Sequence, residues 1–317
     1  MRYGTIPGLG RPVSRVVLGT MRFHPDDDPA HAGEIIEAYL ERGGNLLDTA
    51  HVYGGGRSER TIGAWLRRSG RRADVLLLTK GGHHDRHGKR LAPDEIAFDL
   101  GQSLERLGVP SVDLYLLHRD DPAAPVGPIV EALNRHAARG RIGAFGGSNW
   151  SHGRLEAAAA YARDRGLTPF AASSPNLALA VPSEPMWPDA VSISGDAAAQ
   201  AWYRRTATPL LAWSSQAGGF FSGLFSPAYA PQTPAEAGVV RVYFSAANWE
   251  RYRRAERLGR ELGASAVQIA LAWVLCQPEL NAFALIGPRS PDELHRSLDA
   301  AELRLTPEQV RWLNLEA

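Results

Sequence analysis

The stretch NLLDTAHVYGGG, residues 45–56, decides how the rest of the chain is read. A short apolar run, Asn45-Leu46-Leu47, stops at Asp48; His51 and Tyr53 follow at once, and then Gly54, Gly55 and Gly56. An acid and a phenol thus meet where a buried strand ends. Working outward, the same short apolar or β-branched run recurs at RVVLG (15–19), DVLLLTK (74–80), VDLYLLH (112–118) and RIGAFGGS (141–148). It recurs again at PFAAS (169–173), TPLLAW (208–213) and NAFALIG (281–287). Continuous apolar runs of this length are expected of strands buried on both faces.

Helix-like segments lie between the runs. HAGEIIEAYLERGG carries Ile35, Ile36, Tyr39 and Leu40 at helical spacing and ends at Gly43-Gly44. SERTIGAWLRRSG predicts a helix with Ser58 as its N-cap and Gly70 at its end. PDEIAFDLGQSLERLG places Pro93 and two acids in a first turn. VGPIVEALNRHAARG and SHGRLEAAAAYARDRG repeat the plan. Strands joined through helices pair in parallel. Eight such units predict a closed (β/α)8 TIM barrel, an α/β fold in one domain over residues 1–317. The competing architecture, an open doubly wound sheet, usually carries G-x-G-x-x-G after its first strand. Here the first run leads into GTMRFHP, which lacks it.

Composition bounds the function. Hydrophobic residues make up 44% and charged residues 22% of the 317, an ordinary globular balance that allows a sizeable core. A net charge of +1 gives no reason to expect nucleic acid or a membrane surface as partner, and neither a monomer nor a homo-oligomer is dictated. No run is long enough to cross a bilayer and no signal-like apolar stretch follows Met1, so a cytoplasmic location is expected. The single cysteine, Cys276, excludes an internal disulfide framework.

In a barrel of this kind the chemistry sits at the C-terminal ends of the strands. Three runs end on capable side chains, Asp48, Lys80 and His118, and Tyr53 lies on the loop after the second. Each alone reads as a polar strand end; the architecture would bring all four to one rim.

With its context this set resembles the aldo-keto reductases. NLLDTAHVYGGGRSERTIGAWL, LLLTKGG, SLERLGVPSVDLYLLHRDDP and GRIGAFGGSNW look like that family's successive motifs in order, and the likeness runs on to ALIGPRSPDELHRSL. It implies a barrel that binds NADP(H) across its rim and reduces a small-molecule carbonyl without a metal. Hydride attack on a carbonyl carbon makes its oxygen alkoxide-like, so a donor must supply a proton there. The resemblance gives that role to Tyr53. A free phenol has a pKa of about 10, and a nearby ammonium stabilises the phenolate and lowers it. Lys80 would do this, Asp48 would hold Lys80 charged and oriented, and His118 would align the substrate oxygen. Gly54–Gly56 would let the loop turn tightly and return Tyr53 over the strand end.

The resemblance also assigns a cofactor path. Gly19, Thr20 and Met21 follow the first strand, and Asp48 lies beneath the nicotinamide. Ser148 and Asn149 match a Ser-Asn pair that binds the nicotinamide carboxamide. Ser174 stands where relatives carry a longer glutamine. Trp213 stands where an aromatic stacks on the nicotinamide ring, with barrel-end packing as its plainer reading. Ser214, Ser215, Gln216 and Gly218 belong to a Gly-rich stretch that can offer backbone N–H groups to a pyrophosphate. After strand eight come Ile286, Gly287, Arg289, Glu293 and Ser297. The planar guanidinium of Arg289 suits an adenosine 2′-phosphate, and Ser297 replaces an asparagine set against the adenine.

Phe23, His83, Trp150 and Trp187, with Tyr53 and His118, are the expected substrate contacts, and the Trp- and Pro-rich segment 182–196 should overhang the rim. Two features point elsewhere. HHDRH (83–87) suggests a metal cluster and, with His118, a metal-dependent hydrolase; its glycine and basic flanks read instead as a polar rim loop with no metal. RYRRAERLGR (251–260) is basic but interleaved with Glu250, Glu256 and Glu261, as on a solvated helix face. A third reading, a nucleotide-sensing or regulatory subunit with weak catalysis, is disfavoured by the complete Asp48–Tyr53–Lys80–His118 set.

Overall fold

A computed structural model describes residues 1–23 and 29–316. An antiparallel pair, β1 (Tyr3–Gly4) and β2 (Val13–Ser14), precedes the eight expected strands. These are β3 (Val16–Gly19), β4 (Leu46–Asp48), β5 (Leu76–Gly81), β6 (Val112–Leu117), β7 (Ile142–Ser148), β8 (Ala172–Ser174), β9 (Leu210–Ala212) and β10 (Ala282–Ile286). They pair in parallel in chain order, and β10 closes on β3, giving a closed (β/α)8 barrel. The outer layer runs α1 (Pro29–Glu41), α2 (Arg57–Ser69), α3 (Pro93–Leu107), α4 (Val126–Ala138), α5 (His152–Asp164) and α6 (Ala197–Thr206). It continues with α7 (Pro234–Tyr243), α8 (Ala246–Leu262), α9 (Ala266–Leu275), α10 (Pro291–Ala300) and α11 (Pro307–Leu313). Among the described residues no helix is long and apolar enough to cross a membrane.

Successive strand side chains face opposite ways, so each strand feeds two cores. Val17, Leu46, Leu76, Leu78, Leu114, Leu116, Leu211, Phe283 and Leu285 fill the barrel interior. Val16, Leu18, Leu47, Leu77, Tyr115, Leu117 and Phe145 face the helices. Ile6 and Val13 join the interior cluster, so the β1–β2 hairpin closes the lower end. This plug is not among the expected elements, because two-residue strands leave no periodic trace.

Ser58 departs from expectation. Helix α2 starts two residues earlier, at Arg57 with Gly56 as its N-cap, and Ser58 is fully buried rather than capping. Its hydroxyl bonds the Thr20 and Thr49 hydroxyls at 2.8 and 2.9 Å and so ties the ends of β3 and β4 to the helix. The basic segment in α8 does read as expected: Glu250 pairs with Arg253 and Arg254, and Arg257 with Glu261, at helical spacing.

Candidate active site

The two-residue period that fills the barrel also builds its upper layer. Leu46 faces inward, so Asp48 does too; Leu76 and Leu78 lead to Lys80; Leu114 and Leu116 lead to position 118, one residue past β6. The register sets Gly19 beside Asp48 and Asp48 beside Leu78. The same count puts Ser148, Ser174, Trp213 and Gly287 on the inward columns of β7 to β10.

Asp48, Lys80 and His118 are 2%, 2% and 7% exposed. Lys80 Nζ lies 2.5 Å from Asp48 Oδ1 and donates to the Thr49 carbonyl at 3.1 Å and to the Tyr53 hydroxyl at 3.3 Å. The Tyr53 ring packs edge-on against the His118 ring, with centroids 5.6 Å apart. Tyr53 opens a tight turn in which Gly54, Gly55 and Gly56 all have positive φ (56°, 64° and 85°), a run that side chains would strain. The turn is braced from behind: Arg106 donates to the His51 carbonyl at 2.9 Å and pairs with buried Glu59 at 3.1 Å.

Electrostatics separate the roles. Burial pulls the Lys80 ammonium down, but Asp48 and Tyr53 outweigh it and hold Lys80 above the ordinary lysine value. His118 lies well below the usual imidazole value, first through burial and then through Lys80 and Arg119, so it is neutral at neutral pH. For Tyr53 the expected depression is reversed: burial raises the phenol more than Lys80 lowers it. Burial, helped by the Asp48 charge, opposes a phenolate, and the Lys80 ammonium only partly offsets that.

The other expected residues spread around the same rim. Thr20 is buried, its hydroxyl donating to the Asp48 carbonyl at 3.0 Å, and Met21 is exposed. Ser148 and Ser174 donate to the Ser174 and Leu211 carbonyls at 2.9 and 2.7 Å. Their hydrogens are thus used, and their oxygens keep lone pairs that can accept from an amide. Asn149 bridges four segments: it donates to the His118 carbonyl and the Ser148 hydroxyl, and it accepts from Val191 N–H and Trp213 Nε1. Past β9 the backbone takes positive φ at Ser214, Ala217, Gly218 and Gly219, a turn beside Gln216. Ser215 is buried and spends its hydroxyl on the Leu285 carbonyl. Past Ile286 and Gly287, exposed Arg289 pairs with Glu293 at 3.1 Å, and Ser297 bonds back to the Glu293 carbonyl.

Of the expected substrate contacts, His83 stands over the site, its ring 4.9 Å from that of His118. The segment 182–196 overhangs the rim, with the Trp187 and Trp213 rings 5.4 Å apart. Trp150 and Phe23 do not wall a slot. Trp150 is 1% exposed, donates to the Arg119 carbonyl and packs on Phe170; Phe23 lies in the barrel–helix core. A large ring next to a strand end buries more apolar area against the helices than over an open rim. HHDRH splits: His83 faces His118, whereas exposed His87 takes a hydrogen bond from Arg86. Among the described residues no group of three or more His, Cys, Asp or Glu is arranged to hold a metal ion. Arg119, whose buried guanidinium also borders this set, leaves only one trace in the sequence, a cation directly after His118.

Comparison with known proteins matches this arrangement to a family. The family model described as Aldo/keto reductase family matches residues 15–314. An uncharacterised oxidoreductase of Bacillus subtilis, YrpG, is 30% identical over 99% of this chain and 95% of its own. A 6-dehydroglucose reductase of Agrobacterium fabrum is 28% identical over 96% of this chain and 93% of its own. An aryl-alcohol dehydrogenase [NADP(+)] of Phanerodontia chrysosporium is 24% identical over 97% and 83%. With a family match over nearly its whole length and a relative at 30% identity end to end, this chain belongs to the aldo/keto reductase family, and it is an oxidoreductase.

Proposed function

We propose that the protein is an NADPH-dependent carbonyl reductase in which Tyr53 is the general acid. One observation carries the reading: Lys80 Nζ joins Asp48 at 2.5 Å and Tyr53 at 3.3 Å, beside the His118 ring, at the C-terminal end of a barrel. The site suits a nicotinamide dinucleotide. The inward columns end in acceptors at Ser148 and Ser174, an indole at Trp213, a positive-φ turn at 214–219 and the exposed guanidinium of Arg289. The NADP(+) in the name of the Phanerodontia relative favours the phosphorylated form. When bound, the cofactor supplies the hydride.

The chain's own residues handle the proton. Reduction adds one hydride and one proton to the carbonyl, and Tyr53 gives its hydroxyl proton to the oxygen. Lys80, held charged by Asp48, stabilises the phenolate left behind. His118 is neutral, so it donates a hydrogen bond that orients the oxygen without competing as the acid. The raised phenol keeps Tyr53 protonated before the reaction, as a proton donor must be. In the reverse direction the phenolate is the base. The test is an NADPH-oxidation screen over aldehydes, ketones and keto-sugars, run on wild type and Tyr53→Phe. Turnover of some carbonyl that disappears in the variant is expected; no turnover, or equal turnover in both, would overturn the reading.

A further inference from the structure

Beside the catalytic set stands a cation that carbonyl reduction does not require. Arg119 follows His118 off β6 and is 6% exposed. Its Nη1 donates to the His118 carbonyl at 2.9 Å, whereas its Nε is buried with no hydrogen-bond partner. Its backbone is pinned, because the Arg119 carbonyl accepts from Trp150 Nε1 at 3.2 Å and the next residue, Asp120, holds Arg154 at 2.9 and 3.0 Å. His118 Nδ1, one residue away, is likewise buried without a partner.

Charge balance singles Arg119 out. Asp48 is committed to Lys80. Asp189, the acid whose field reaches Arg119, is bonded to Lys89 and lies 3.8 Å from His84 Nδ1. No acid among the described residues bonds Arg119 directly. A buried cation without a counterion is costly, and a ligand that brings the anion removes the cost. With Nη1 engaged, Nε is sealed and unpaired, and a carboxylate that displaced the contact over it would meet the fork through two parallel bonds. Its hydrogen bond to the His118 carbonyl keeps the guanidinium next to the catalytic set, and its charge lowers Tyr53, His83 and His118 alike.

We propose that Arg119 binds a carboxylate carried by the carbonyl substrate, so that the preferred substrates are oxo acids. The inference rests on the reductase reading of the same site and adds the substrate class. The test uses matched pairs, 4-formylbenzoate with its methyl ester and a series of short ω-oxo acids with theirs, under NADPH. Wild type should favour at least one acid over its ester by roughly 10–100-fold in kcat/KM, the range of a charged hydrogen bond. The ratio should fall close to one in Arg119→Met and to an intermediate value in Arg119→Lys, which keeps the charge and loses the fork. Acid and ester handled alike by wild type across the series, or a ratio that survives Arg119→Met, would overturn the proposal. So would an equal loss on both with a displaced pH profile, which would make Arg119 a tuner of Tyr53. Benzoate and benzamide, titrated by tryptophan fluorescence, separate the two readings. If no carbonyl is turned over yet benzoate still binds preferentially in wild type and not in Arg119→Met, the anion site stands and the reductase reading falls. If neither turnover nor binding discriminates, the anion site falls.

Discussion

The two halves of the rim are made from different material. Past β4, β5 and β6 the proposed working surface is side chains: buried Asp48, Lys80 and His118 with half-buried Tyr53, joined by an ion pair, one hydrogen bond and a ring contact. Past β9 and β10 it is mainly backbone, a positive-φ turn at 214–219 and an exposed arginine held by a neighbouring glutamate. A proton donor must sit where charge is poorly screened, and this demands burial and fixed partners. A phosphate needs N–H groups and a cation, which the positive-φ turn and the exposed Arg289 can provide. The first half should therefore be intolerant of single-atom changes and the second forgiving.

The sharpest way to break this contrast is Tyr53→Phe. Deleting one oxygen should lower kcat by roughly 10²–10⁴-fold, the share of a positioned proton donor, with NADPH binding nearly unchanged by fluorescence titration. A variant that keeps a third of wild-type turnover would remove Tyr53 from the mechanism. Lys80→Met should come next, in stability as well as in rate. It leaves the Asp48 carboxylate buried without its cation, at a cost of about 3–5 kcal/mol in a urea melt. Adding Asp48→Asn should recover much of that loss; if it does not, the pair is not the source.

A third test uses pH. Burial first, then Lys80 and Arg119, depress His118 in the folded chain, whereas the unfolded imidazole titrates near about 6.5. The folded state therefore binds fewer protons. The stability from neutral His118 is fully present above that unfolded value and is lost as pH falls through it toward the folded one. Urea midpoints measured from pH 8 down to 5 should fall less steeply in His118→Gln than in wild type. Identical slopes would mean His118 is not held neutral by folding.

On the forgiving side, Arg289→Ala should cost only about 1.5 kcal/mol of NADPH affinity, the low end for a charged hydrogen bond. The guanidinium is exposed and must leave Glu293, although such surface pairs are weak. NADH affinity should not move; equal losses for both cofactors would show that Arg289 does not read the 2′-phosphate.

The sequence exposed the two halves unequally. Parallel barrel strands are buried on both faces, so all eight stand out as apolar runs, and a polar residue ending such a run is visible as Asp48, Lys80 or His118. Properties set by distant contacts were hidden. Ser58 looks like a cap in a linear chain because the hydroxyls of Thr20 and Thr49 are out of view. Trp150 and Phe23 look like rim residues because nothing local says which core will take a large ring. The rise of the Tyr53 phenol depends on how closely the surrounding loops pack, which spacing does not reveal. Arg119 escaped notice because its missing partner is a tertiary fact.

The smallest expected effect tests where the two halves meet. Trp187 sits on the segment after β8, 43% exposed, with its ring tilted 47° to that of Trp213 and 5.4 Å away. The segment is anchored without it, through Val191 N–H to Asn149 and Asp189 to Lys89. Truncating a half-exposed indole on an anchored loop removes little buried area, so Trp187→Ala should leave Tm almost unchanged. The exposed indole stands beside Trp213, the ring proposed to meet the nicotinamide, and a rigid ring offers a substrate contact area at little entropic cost. The variant should therefore shift kcat/KM unequally across a carbonyl panel, by a few-fold, with NADPH affinity intact. A fall in Tm with a uniform loss on all substrates would mean that Trp187 pins its own loop, and that the boundary between the two halves is structural rather than a substrate wall.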